Sequence, residues 1–127
     1  MEKNELFTEW IIYAEKDLKV AKLILKHDSE EKEIACYHCQ QCAEKALKAF
    51  LVYNKLQYKL IHNLAILCDD CTEIDETFDS LKDSCYDLNQ FIAHTRYPGD
   101  YFLYEFHMRQ AIKQAEEILI FVKEKIK

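Results

Sequence analysis

The sequence predicts an all-α fold, an antiparallel bundle of four long helices and one short helix forming a single domain over residues 1–127. Three observations carry this reading. Four stretches space apolar residues alternately four and three apart, the period of a helix with one buried face. The chain holds a single Gly and a single Pro, too few turn formers for a fold of many short strands. Half of the residues are apolar, enough for one core in a bundle of this length.

The first helix is predicted from about Asn4 to Lys26, with Phe7, Ile11, Ala14, Leu18, Ala21 and Leu25 on one stripe and Trp10 beside it. Glu9, Glu15, Lys16, Lys19 and Lys22 read as its solvated side. The break at 27–30 offers Ser29 as an N-cap, with Lys32 where a capping box would place Glu. The second helix, about Glu30 to Asn54, carries Ala35, Cys39, Cys42, Ala46, Ala49 and Tyr53. Ile34, Cys36, Ala43, Leu47, Phe50 and Leu51 widen its apolar face past half the circumference, which marks it as the central helix. His38, Gln41, Lys45 and Lys48 fall toward its polar side, and Lys45, Lys48, Lys55 and Lys59 read as an ordinary solvated face.

After a connection over 58–61, His62-Asn63-Leu64 opens a short helix, with Asn63 as its cap and Leu64, Leu67, Cys68 and Cys71 inward. For His62 a local hydrogen-bonding role is preferred to that of a catalytic base. A helix from about Asp75 to Thr95 buries Ile74, Phe78, Leu81, Cys85, Leu88 and Ile92. The last helix, about Leu103 to Lys125, turns Tyr104, Met108, Ala111, Ala115, Ile118 and Val122 inward, with His107 and Arg109 flanking the stripe.

Composition narrows the function. The net charge of −6 means that any contact with nucleic acid is local, because the average field repels phosphate. No apolar run approaches the ~18–20 residues of a membrane span, and 1–5 do not begin a secretory signal. A cytoplasmic protein without membrane contact is expected. Six Cys include Cys36, Cys39, Cys42 and the pair Cys68 and Cys71, spacings that suit zinc. Both sets lie in helical patterns, however, where free Cys acts as a small hydrophobe. We read them as core, with no metal or other cofactor.

The chemistry concentrates at Thr95-Arg96-Tyr97-Pro98-Gly99-Asp100-Tyr101, where the only Pro and Gly adjoin in a turn signal. Pro98 disfavours helix at Tyr97, so Arg96 falls near a helix C-terminus, where its charge suits unsatisfied carbonyls. Asn89 and Arg96, seven apart, share a helix face.

The chain resembles the HEPN family. The resemblance rests on the phrase from Trp10 to Leu18, the phrase from His38 to Ala49, the His62-Asn63-Leu64 step, and the run from Thr95 to Asp100, in the family's order over nearly the whole chain. It implies a helical bundle that pairs into a homodimer. Many family members are metal-independent ribonucleases whose signature is an Arg, four to six residues, then a His. Simple prokaryotic members are often paired, as toxin with antitoxin, with a minimal nucleotidyltransferase, which in some pairs modifies a Tyr just after that His.

Carried over, Arg96 matches the signature Arg and the His falls on Tyr101. This is a departure, since a phenol with pKa ~10 is a poor base near neutrality. His94 and His107 are the nearest imidazoles, and Tyr104 stands near the modifiable position. Two readings compete, beside a purely structural bundle. In one, a dimeric module binds nucleotide, RNA or a nucleotidyltransferase partner through Asn89, His94, Arg96, Asp100, Tyr101 and Tyr104. In the other, a ribonuclease uses Arg96 to stabilise the phosphorane, with a substitute base.

Overall fold

The computed structural model describes residues 3–58, 60–94 and 103–127, with side chains for 6–58, 60–92 and 103–127. Its elements are α1 (Lys3–His27), α2 (Lys32–Tyr53), α3 (Leu64–Ile74), a 3₁₀ helix (Glu76–Leu81), α4 (Lys82–Asn89), α5 (Phe91–His94) and α6 (Glu105–Lys125). The all-α bundle expected from the spacing is what forms. α2 is the hub, packed most extensively against α1 and α6 and also against α3, α4 and α5. Among the described residues, no helix is long and apolar enough to cross a membrane.

The stripes explain the packing. Ile11, Ala14, Leu18 and Ala21 of α1 and the small residues Ala35, Cys39, Cys42, Ala43, Ala46 and Ala49 of α2 are all buried in one core cluster. Small side chains let the helix surfaces approach closely, and larger ones fill the space beyond. Phe78 stacks against Phe50 at 4.3 Å and Phe121 at 4.9 Å, joining the 3₁₀ helix to α2 and α6.

Local chemistry sets the ends. α2 stops without glycine: Leu56 N–H bonds to Leu51 O and Lys55 N–H to Val52 O, both at 2.9 Å, while Lys55 takes φ 61°. This is the left-handed helix stop usually filled by Gly, here at a cost of roughly 1–2 kcal/mol for the Cβ. Asn63 caps α3 as expected, its Oδ1 accepting from Ala65 and Ile66 N–H at 2.9 and 3.3 Å.

Several expectations need correction. Ser29 is not the cap of α2; Glu31 takes that place without a side-chain bond, and the helix begins at Lys32. The run expected over 75–95 is three pieces. Asp75 caps a 3₁₀ helix through Thr77 N–H at 3.0 Å, and the helix pattern breaks again at Gln90, whose dihedrals stay helical. Ile74 ends α3 and is 38 % exposed. Ile34 and Tyr104 point outward.

Asp75 also pairs with Lys125 at 2.8 Å, fastening the 3₁₀ helix to the end of α6. The bond from Lys125, helped by Thr77, lowers the Asp75 carboxyl from 3.8 to about 2. A lowered carboxyl contributes stability that is present above its unfolded value and lost as pH falls through its folded one. Between pH 4 and pH 2, the melting temperature of the native protein is therefore expected to fall more steeply than that of Asp75→Asn. Parallel slopes in the two acid series would remove Asp75 from the acid limb.

Candidate functional site

The turn at 95–102 lies outside the described residues, and with it Arg96, Asp100 and Tyr101. The same holds for the side chain of His94, whose backbone closes α5. The structure builds the two flanks of this turn.

On the near flank, Asn89 ends α4. Its Oδ1 accepts the N–H of Leu64 at 2.9 Å and its Nδ2 donates to Asn63 Oδ1 at 3.1 Å. Asn89 thus ties the entry to the turn onto the start of α3. It borders an open pocket of about 370 Å³ lined by Tyr86, Asp87, Asn89 and Gln90. A smaller cleft of about 150 Å³ between α4, α5 and α6 is lined by Asp87, Gln90, Phe91, His107, Gln110, Ala111 and Gln114. Gln114 Nε2 donates to Asp87 Oδ2 at 2.8 Å and so closes its floor.

On the far flank, Tyr104 precedes α6 with an extended backbone, and its N–H donates to His107 Nδ1 at 2.9 Å. The N–H of His107 returns a bond to Tyr104 O at 3.0 Å. Because Nδ1 accepts a backbone proton, neutral His107 carries its own proton on Nε2 and is a donor there. It is therefore not arranged as a base.

Around it the rings are exposed and stacked. Tyr104 and Phe106 lie at 5.8 Å with planes 6° apart, and Phe106 meets His107 at 4.1 Å. Tyr104 is 59 % and Phe106 62 % exposed. Phe106 was not singled out from the sequence. The signal for it was the aromatic alternation Phe102, Tyr104, Phe106, which a helical stripe search passes over.

A second polar assembly lies along α2, where a solvated face was expected. That expectation fails at Lys48, which is buried together with Gln40 and Glu44, while Lys55 is exposed and Lys59 lies outside the described residues. The Glu44 carboxylate accepts from Lys48 Nζ at 2.9 Å and meets His62 Nδ1 at 2.9 and 3.1 Å. It also accepts from Gln40 and Gln41 Nε2 at 3.3 and 3.4 Å. Gln40 Nε2 donates to His62 O at 3.0 Å. Lys48 lies over the rings of Trp10 and Tyr58 at 5.6 and 5.1 Å. Tyr58 and His62 of the connection lie against these groups, which helps to take them out of water. Nearby, Asp17 holds His38 Nδ1 at 2.8 Å and Lys45 Nζ at 2.6 Å.

All six Cys are buried and free, as core residues. Burial pushes the Cys36 and Cys42 thiols up from 9.0 to about 12, and raises Cys39 and Cys71 as well. Cys85 rises through its bond to Cys68 and through burial, and the same bond lowers Cys68. Among the described residues, no three His, Cys, Asp or Glu are grouped to hold a metal ion.

Comparison with known proteins bears on these features. The family model described as HEPN domain matches residues 7–125. A Methanocaldococcus jannaschii protein named "Putative toxin MJ1304" is 31% identical over 130 residues, covering 90% of this chain and 84% of the relative. Two crystal structures share the fold. ST0689, described as an archaeal HEPN homologue, is 28% identical with a TM-score of 0.75 over 100% of both chains. TT1696 from Thermus thermophilus is 26% identical with a TM-score of 0.83 over 96% of this chain and 98% of that one.

Proposed function

The chain belongs to the HEPN domain family, and on that premise we propose that it is the HEPN half of a toxin–antitoxin-type pair, a homodimeric module that binds RNA or nucleotide. Its partner in this reading is a minimal nucleotidyltransferase. The observation that carries the binding role is the set of exposed Tyr104 and Phe106 rings, stacked on each other, with half-buried His107 against them beside the turn. Aromatic faces at a surface accept unpaired bases of any sequence. His107, with its proton on Nε2, suits donation to a phosphate oxygen. Arg96 supplies the positive charge that the chain as a whole lacks, as a fork for phosphate. The named toxin relative supports the pairing.

The test uses single-stranded RNA and two variants. Arg96→Ala is expected to remain a folded dimer in light scattering, with a stability loss of about 1 kcal/mol or less, as for a partly exposed charge. It is expected to weaken RNA binding by about 2 kcal/mol or more, the size of a lost charge-assisted contact. Phe106→Ala is expected to cost about 1–3 kcal/mol of binding, the range for one stacked base. If both variants bind RNA like the native protein, the turn and its flank are not the binding face. A native protein that scatters as a monomer at micromolar concentration removes the dimer.

A further inference from the structure

α1 and α6 run side by side in opposite directions. Glu15 pairs with Lys123 at 2.9 Å and Lys22 pairs with Glu116, so a step up one helix is matched by an equal step down the other. Along these pairs lies an open groove of about 410 Å³. Leu18 and Leu119, both buried, form its floor, while Leu23 and Ile120 line it at 46% and 54% exposed. A single exposed Leu or Ile is ordinary. Here two of them line one groove with a buried apolar floor, a surface that further apolar side chains would complete.

The rim is basic. Lys19, Lys22, Lys26 and Lys123 line the groove against Glu15 and Glu116, a surplus of two positive charges in a chain whose net charge is −6. Both carboxylates are already taken, by Lys123 and Lys22. Lys19 and Lys26 are exposed and have no carboxylate partner among the described residues. Such a rim attracts an acidic occupant and repels a basic one. The lining selects against nucleic acid, since it offers Leu and Ile but no aromatic ring on which a base could stack. Its length selects a helix. From Glu15 to Lys26 the groove follows α1 for about 16 Å, or three turns, and a third helix packs well along an antiparallel pair.

We propose that the groove between α1 and α6 is the docking site for an acidic amphipathic helix of a partner protein. That helix carries Leu, Ile or Phe on the face turned to Leu18, Leu23, Leu119 and Ile120, and Asp or Glu beside that face toward Lys19 and Lys26. The inference does not rest on the RNA-binding reading, and the two sites are apart. Glu116 lies about 16 Å along the axis of α6 from its first residue, Glu105. A helix seated in the groove leaves Tyr104 and Phe106 uncovered.

The experiment titrates the full chain into a labelled peptide of about 14 residues, long enough for the three turns, designed with Leu along one helical face and Glu on both sides of it. Fluorescence anisotropy is expected to show micromolar binding that weakens as salt is raised, and little binding of the same peptide with Lys for every Glu. Lys19→Glu with Lys26→Glu is expected to weaken binding about tenfold or more, as for charges reversed at a rim. Ile120→Asp, a change at an exposed position, is expected to weaken it as well. Both variants are expected to keep native circular dichroism. A carbodiimide is expected to join peptide carboxylates to Lys19 or Lys26 of native protein, a result independent of how any variant folds. Native protein that ignores the acidic peptide, binds the basic one as tightly, or cross-links only through other lysines overturns the inference. So does native affinity in the variants. Loss of single-stranded RNA binding in the double variant would make the groove a nucleic-acid face. Loss of a native dimer in light scattering would make it the seat of a second copy, and either result overturns the inference too.

Discussion

Raising the pH above about 9 is expected to unfold the bundle. Cys36, Cys39, Cys42, Cys71 and Cys85 all have thiols raised by the native structure, two of them to about 12, from an ordinary value of 9.0. Burial is the cause for the first four and the bond to Cys68, then burial, for Cys85. A group raised in the folded state contributes stability that is intact below its unfolded value and is lost as pH climbs toward its folded one. Above about 9, the unfolded chain releases protons that the native chain keeps. Each such thiol then costs about 1.4 kcal/mol per pH unit. The four thiols outside the Cys68–Cys85 pair together reach roughly 6 kcal/mol per unit, against a total stability of about 5–15 kcal/mol for a domain. Circular dichroism followed with pH should show a cooperative loss of helix within about two units above 9, with thiolate absorbance rising in the same transition. Replacing Cys36 and Cys42 by Ala should shift that transition to higher pH. Full helicity at pH 12 with the thiols still protonated would contradict the linkage.

Glu44→Ala is expected to be among the most damaging single changes. Glu44 and Lys48 have side chains 4% and 7% exposed and lie 2.9 Å apart. Removing the carboxylate strands the Lys48 ammonium between the Trp10 and Tyr58 rings and deprives His62, Gln40 and Gln41 of an acceptor. Breaking a buried pair from one side costs about 3–5 kcal/mol, whereas replacing both members by apolar residues of similar volume is close to neutral. Urea titration should therefore place Glu44→Ala far below the native midpoint, and Glu44→Leu with Lys48→Met near it. A loss under about 1 kcal/mol for the single variant would put the pair at the surface.

The helices and the thiol core were legible because a stripe of apolar residues leaves the same signal whatever covers it. Asn63 was legible as well, since a cap depends on its neighbours in sequence. The Glu44–Lys48 pair was not. Carboxylate and ammonium four apart read as a surface pair on any helix, and only the tertiary placement of Trp10, Tyr58 and His62 against this one takes it inside. The division of the run over 75–95 was hidden because Phe78, Leu81, Cys85 and Leu88 keep their facing through a 3₁₀ segment. At the candidate site, Tyr104 suited an inward stripe by spacing, yet its N–H bonds to His107 and turns it outward before α6 begins. Tautomer, which makes His107 a donor at Nε2, is a property of hydrogen-bond partners and has no trace in residue order.

The Schellman-type stop at Lys55 and the seam of Gln40, Glu44, Lys48 and His62 together limit how the chain can drift under mutation. Along the rest of α2, one small residue can replace another step by step, as Cys and Ala already share that stripe. Within the seam, no single step is neutral, because each side chain is the acceptor or donor that another requires. Changes there are tolerated as sets rather than one at a time. The path from this protein to a relative with an apolar seam therefore runs through intermediates less stable than either end. The seam is a ratchet on sequence change as much as a brace for the fold.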